Sequence, residues 1–277
     1  SSTLALAQLN VPVLVVAADD SLDALDLAHR RDAFCGKLSV CANLNQNGIP
    51  FTNTTTHTLP LDSAQFDAEI DRFSRICAVV RGMRGARIGA IGTRPDPFRT
   101  TRYSEKLLQK SGITTCVIDM SDMEANAAAY ADNDPVVVEN VARIRAYGNP
   151  NADATDEKLI KNAKLLAAVE AWVKKMHINA FALQCWDSLE WHFGCAACLT
   201  MSMLGESGVP AACEMDVMGA VTMLAMSLAA GSPAGYLDWN NNYADDRDKC
   251  ICLHCSNFPK SFMQNEQPEI GSLDVLS

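Results

Sequence analysis

The sequence predicts an α/β protein with mainly parallel sheets and helices on both faces. Three observations carry that prediction. Strand-like apolar runs alternate with segments of helical period along the whole chain. Several of those runs are apolar enough for strands covered on both sides. Gly82 and Gly85 then punctuate the pattern, which predicts a boundary between two α/β units.

Taken in order, Val11-Pro12-Val13-Leu14-Val15-Val16-Ala17 reads as a buried strand closed by Asp19-Asp20. Such a strand needs neighbours on both sides, so the chain is expected to open in the middle of a domain. Phe66, Ile70, Phe73, Cys77 and Val80 recur at helical spacing behind Asp62-Ser63, an N-terminal cap signal. Residues 87–92 read as a strand entering the loop 93–97, 103–110 as a short helix, and 114–118 as a strand. Residues 155–176 form a long helix, with acids at its start and Lys174-Lys175 at its end as the helix dipole favours. A strand follows over 180–185. Residues 214–230 read as a helix, preceded by Pro210 and stopped by Gly231 and Pro233, and a strand over about 234–238 comes next. Ser272-Leu273-Asp274-Val275-Leu276 begins a further apolar pattern, so the 277 residues are expected to be a piece of a longer protein.

Composition narrows the function. Hydrophobic residues at 48% and charged residues at 20% describe a core-forming chain. A net charge of −10 argues against gripping nucleic-acid backbones. No apolar run approaches the roughly 18 residues of a membrane span, and no basic, cleavable leader is visible. Eleven cysteines, an odd number in mostly apolar contexts, predict reduced thiols in a cytoplasmic protein.

The chemistry concentrates late in the chain. In a parallel α/β unit a helix begins, and the next strand ends, at the same sheet edge. Glu214 opening the 214–230 helix and Asp238 closing the following strand are therefore expected to meet at the carboxyl edge, where such sheets bind ligands. Taken singly, each acid reads better as a dipole partner or a loop cap, and it is the neighbouring residues that tilt the reading toward a site. Trp239, Asn240, Asn241 and Asn242 add an aromatic face and amides suited to a polyhydroxylated ligand. Asp216 is rotated about 200° from Glu214 on a helix, which makes it the weaker candidate. Gln184 and Trp186, at a strand's carboxyl end, could position a ligand's hydroxyls or serve packing. Cys250, Cys252 and His254 alternate and so share a strand face. His254 then reads as a metal ligand beside the two acids, as part of a zinc site with Cys250, Cys252 and Cys255 (and Cys195 or Cys198), or as a plain buried histidine. Ile88-Gly89-Ala90-Ile91-Gly92 lacks the third glycine and the lysine of phosphate-cradling loops, so a nucleotide module is poorly supported.

Ala182-Leu183-Gln184-Cys185-Trp186, Ala212-Cys213-Glu214-Met215-Asp216, Gly219-Ala220-Val221-Thr222-Met223-Leu224 and Leu237-Asp238 resemble the L-fucose isomerase/L-arabinose isomerase superfamily. The spacing from Glu214 to Asp238 resembles that of the two metal-binding acids in fucose isomerases, and residues 84–98 resemble the opening of that family's second α/β domain. The likeness covers most of residues 84–260. It implies a manganese-dependent aldose–ketose isomerase, or one using another divalent cation, that works through a cis-enediol. It also implies two α/β domains and a β-rich C-terminal domain. Residues 1–83 would be the end of the first domain plus a linker helix, 84–236 the second, and 237–277 a truncated start of the third. Carried over, Glu214 and Asp238 are metal ligands and the acid/base pair. His254 sits where arabinose isomerases place their nearer metal histidine, while fucose isomerases use one from much later in the chain. The implied partners are a small sugar and further copies of the chain, a neighbouring subunit closing the pocket. Residues 30–37 are a candidate for that contribution, beside their plain reading as a solvated helix face. A non-catalytic sugar-binding protein of the same fold is the alternative.

Overall fold

The computed structural model describes residues 2–186, 188–255, 257–263 and 267–272. Leu273 to Leu276 of the expected final apolar pattern lie outside them. The chain forms two compact units, Ser1–Ala78 and Val79–Ser277.

The first unit contains α1 (Ser2–Leu9), β1 (Leu14–Val15), α2 (Ala33–Gln46) and β2 (Thr52–Asn53), and α3 (Ala64–Met83) continues past its end. β1 and β2 pair in parallel, extended by a bridge from Ala18 to Leu59. Within the 11–17 run only Val15 and Ala17 are buried. That strand is therefore short and covered on one side, unlike the doubly buried strand its composition predicts. Ser63 Oγ accepts from the Phe66 N–H at 3.2 Å and starts α3 as expected. Lys37 is buried, its Nζ donating to Thr54 Oγ1 at 2.8 Å and to the His57 carbonyl at 3.0 Å. This lysine serves its own unit, which corrects the solvated-face reading at that position.

The second unit carries β3 (Arg87–Ile91), α4 (Glu105–Lys110), β4 (Thr114–Ile118), α5 (Met120–Ala128), α6 (Pro135–Tyr147), β5 (Asn149–Pro150), α7 (Asp156–Met176) and β6 (Ala180–Leu183). It continues with α8 (Cys198–Glu206), β7 (Ala211–Ala212), α9 (Val217–Ala230), β8 (Asp238–Tyr243), β9 (Asp246–Leu253) and β10 (Glu269–Ile270). Four of these strands form a parallel sheet in the order β4-β3-β6-β7. Its residues alternate between two cores, as the two-residue period of a strand requires. Ile91, Phe181 and Leu183 pack with residues of α5 to α8, whereas Ile88, Ala90, Ala180 and Ala182 pack with those of α4 and α9. Gly89 permits the close approach of α7, because a Cβ there would lie 2.7 Å from the Trp172 ring and 2.8 Å from Phe181 Cβ. α4, α5, α6, α7 and α9 begin on side-chain caps from Ser104, Asp119, Asp134, Thr155 and Asp216.

The α/β class and parallel sheet agree with the sequence reading. The end of the second unit does not. α9 starts at Val217, three residues later than expected, because Glu214 and Met215 adopt left-handed φ values of 60° and 58°. Residues 233–237 form no strand. Asp238 instead opens β8, which pairs antiparallel with β9 in a hairpin separate from the parallel sheet.

Candidate active site

The site is built on the carboxyl ends of the central strands. After β3 the chain turns at Gly92 with φ +85°, and a Cβ there would meet Gln184 Oε1 at 2.6 Å. That space lets Gln184, just past β6, accept from the Thr93 N–H at 2.9 Å while its Nε2 donates to the Trp186 carbonyl at 2.8 Å. Both ends of the Gln184 amide are thus engaged within the edge itself.

β7 runs into Cys213, then into the two left-handed residues. Non-glycine residues pay roughly 1–2 kcal/mol each for that conformation, so the surroundings must hold it. The buried Met215 side chain does so, with the Met215 N–H bonded to the Leu183 carbonyl at 3.1 Å and that of Asp216 to the Cys213 carbonyl at 3.0 Å. Glu214 consequently leaves the sheet on a strained turn, not along a helix. Asp216 has a structural role: Oδ1 caps α9 by accepting from the Gly219 N–H at 2.9 Å, and Oδ2 accepts from the Tyr236 hydroxyl at 2.9 Å.

Glu214 is half-buried, and its carboxyl pKa is raised, first by burial and then by the negative charge of Asp238, with the charge of His254 opposing. Asp238 is exposed at the start of β8. His254 follows β9 and is only 7% exposed. Its ring meets Tyr236 edge-on at 5.3 Å, and its Nδ1 lies 3.8 Å from Cys255 Sγ. Its Nε2 is buried without a hydrogen-bond partner among the described residues. Burial alone would lower the His254 pKa, but Cys255, Asp238 and Glu214 together raise it. Cys255 in turn contacts Cys198 and Cys213, and these with His254 hold its thiol well below the usual range.

The donors fit a hard or borderline cation in kind: two carboxylates whose mutual repulsion a cation would relieve, and a buried imidazole nitrogen lacking a partner. They are not gathered in number. Among the described residues, no group of three or more His, Cys, Asp or Glu side chains is placed to hold a metal ion. The residues of the larger zinc reading are divided. Cys250 and Cys252 are exposed, Cys195 and Cys198 are buried, and β9 ends at Leu253, with His254 buried beyond it and off the strand.

The aromatic and amide candidates scatter. Trp186 is 45% exposed and meets Phe98 edge-on at 6.0 Å. Trp239 is 87% exposed, and Asn240 sits at an irregularity of the hairpin register. A cavity of about 890 Å³ in the second unit is lined by Trp186, Trp191, Glu190, Lys158 and Tyr147 among others, and by none of Gln184, Glu214, Asp238 and His254. Sequence reasoning missed the role of Tyr236, which holds Asp216 and meets His254, and weighed Cys255 only as a zinc ligand. Their nearness in sequence to Asp238 and His254 was the available signal.

Residues 1–84 match the family described as fucose/sulfoquinovose isomerase, N-terminal domain. Curated relatives extend the likeness into the second unit. The chain is 23% identical over 229 residues to the sulfoquinovose isomerase of Alkalicoccus urumqiensis, covering 78% of this chain and 51% of that protein. It is 22% identical over 230 residues to that of Priestia megaterium, with the same coverage, and 25% identical over 171 residues to that of a Clostridium species, covering 61% and 38%. These matches make the chain similar to the fucose/sulfoquinovose isomerases, over residues 1–84 by the family model and over about four-fifths of the chain by the curated relatives. It spans about half the length of the curated relatives it matches. No described helix is long and apolar enough to cross a membrane, and all eleven cysteines are free.

Proposed function

We propose that this chain carries the acid pair of a metal-dependent intramolecular oxidoreductase interconverting an aldose and a ketose. What supports the reading is half-buried Glu214, whose pKa is raised by burial and then by the charge of Asp238, together with the buried Nε2 of His254, which has no partner among the described residues. Aldose–ketose exchange through a cis-enediol needs a proton taken from the carbon beside a carbonyl and returned to its neighbour. Glu214 suits that work, because its raised pKa lies closer to neutral pH, where a group can both accept and release a proton. Asp238 is its partner in acid/base exchange. Glu214, Asp238 and His254 are the donors that would hold Mn²⁺ or another divalent cation, which when bound polarises neighbouring carbonyl and hydroxyl oxygens. Gln184, Trp186, Trp239 and Asn240 remain the sugar-contact candidates.

The relatives' names make sulfoquinovose the leading substrate, with L-fucose and L-arabinose behind it. We place the protein in the cytoplasm as a homo-oligomer whose pocket a neighbouring subunit completes. Residues 237–277 would open a β-rich domain, leaving 1–83 and 84–236 in two α/β domains.

The test is a panel of these three sugars on the complete protein with added Mn²⁺, assayed for ketose. Glu214→Gln should lower kcat at least about 100-fold while sugar binding, read by calorimetry, persists. Unchanged turnover in that variant would overturn the assignment.

A further inference from the structure

Away from the acid pair, β9 brings two sulfur atoms together. Cys250 and Cys252 are exposed free thiols whose sulfurs lie 3.7 Å apart. Alternate residues of a strand are separated by roughly 6.6 Å along the backbone, so both side chains have leaned toward each other. A tetrahedral ion with metal–sulfur bonds of about 2.3 Å spans two sulfurs about 3.8 Å apart. The two thiols therefore already present one edge of a soft ion's coordination tetrahedron.

We propose that Cys250 and Cys252 form a two-thiolate chelating site for a soft divalent cation of the zinc and cadmium class, distinct from the Glu214–Asp238 pair. Thiolates select such ions, whereas carboxylates favour harder ones. His254 takes no part, since it is buried with Nδ1 toward Cys255. No third His, Cys, Asp or Glu of the described residues joins the pair, which leaves the other coordination positions to water or a small thiol. Cys252 pairs across the hairpin with Trp239, the residue after Asp238. An ion on the thiols thus sits beside an indole that can report it.

Cadmium titration of the reduced, complete protein tests this, reading the ultraviolet thiolate-to-cadmium absorption and tryptophan fluorescence together. The double substitution Cys250→Ser with Cys252→Ser should remove one equivalent of bound cadmium and the fluorescence change that Trp239→Phe also removes. Both thiols are exposed, so these changes should leave the fold intact. Glu214→Gln should keep the cadmium signal, which separates this site from the proposed isomerase chemistry. Equal stoichiometry and equal absorption in the wild type and the double-serine variant would overturn the proposal.

Discussion

Glu214 and Asp238 stand in two regions built on different terms. Every residue of β6 and β7 is buried, and Glu214 leaves that core on a turn whose strain is held by Met215 and the Leu183 carbonyl. Every residue of β8 and β9 is exposed, and Asp238 opens the hairpin they form. A lone two-stranded hairpin is marginal in water. One acid is thus fixed by packing and its pKa shifted by burial, while the other acts chiefly through its charge. The proposed acid pair joins a rigid member to an exposed one.

If the sheet edge owes its rigidity to close packing, crowding the sheet should damage it most. Gly89→Ala places a methyl group 2.7 Å from the Trp172 ring and 2.8 Å from Phe181 Cβ, with β3 and α7 both held by the rest of the core. We expect a loss of about 1–3 kcal/mol, measured by urea unfolding monitored through far-ultraviolet circular dichroism. A loss below about 0.5 kcal/mol would mean that α7 can retreat from the sheet, and that the contrast with the hairpin is weaker than described.

A smaller effect is expected at the joint between the regions. The Tyr236 hydroxyl donates to Asp216, which caps α9, and the Tyr236 ring lies against His254. Tyr236→Phe keeps the ring and removes one hydrogen bond to a charged acceptor. It should cost about 1.5 kcal/mol, visible in the same unfolding measurement. No change would show that the Asp216 cap is sufficient without it.

The same contrast explains what could be read from the sequence. β3, β4, β6, α3 and α7 were legible because a buried strand or an amphipathic helix imprints its period on the apolar residues, and Ser63 and Thr155 marked two helix starts. α5 and α6 were passed over, since their alanine-rich or mixed sequences show little period, although Asp119 and Asp134 cap them. The 234–238 segment was misread because Tyr236-Leu237 looks like a strand ending at an acid. Its tyrosine is instead spent on Asp216 and His254, a tertiary contact with no local signature. Glu214 does follow the end of a strand, but on a turn and not in the helix to which its sequence assigned it. Two successive left-handed residues without glycine are stabilised only by the surrounding fold, which short-range propensity does not report.

Asp238 should give the smallest effect on stability and the sharpest test of the coupling. The native Glu214 carboxyl keeps its proton at pH values where the unfolded chain has lost it, because burial and Asp238 raise its pKa. That contribution to stability is full below the ordinary carboxylate pKa and is lost as pH rises through the raised value. Asp238→Asn removes the charge and leaves the burial. The loss should then occur over a narrower window ending at lower pH, and stability near neutrality should rise slightly. Glu214→Gln should abolish this part of the pH dependence altogether. Thermal unfolding midpoints of the wild type and both variants between pH 4 and 8 read the difference. Identical profiles for the wild type and Asp238→Asn would show that the two carboxylates do not sense each other, and the case for a shared cation would go with that result.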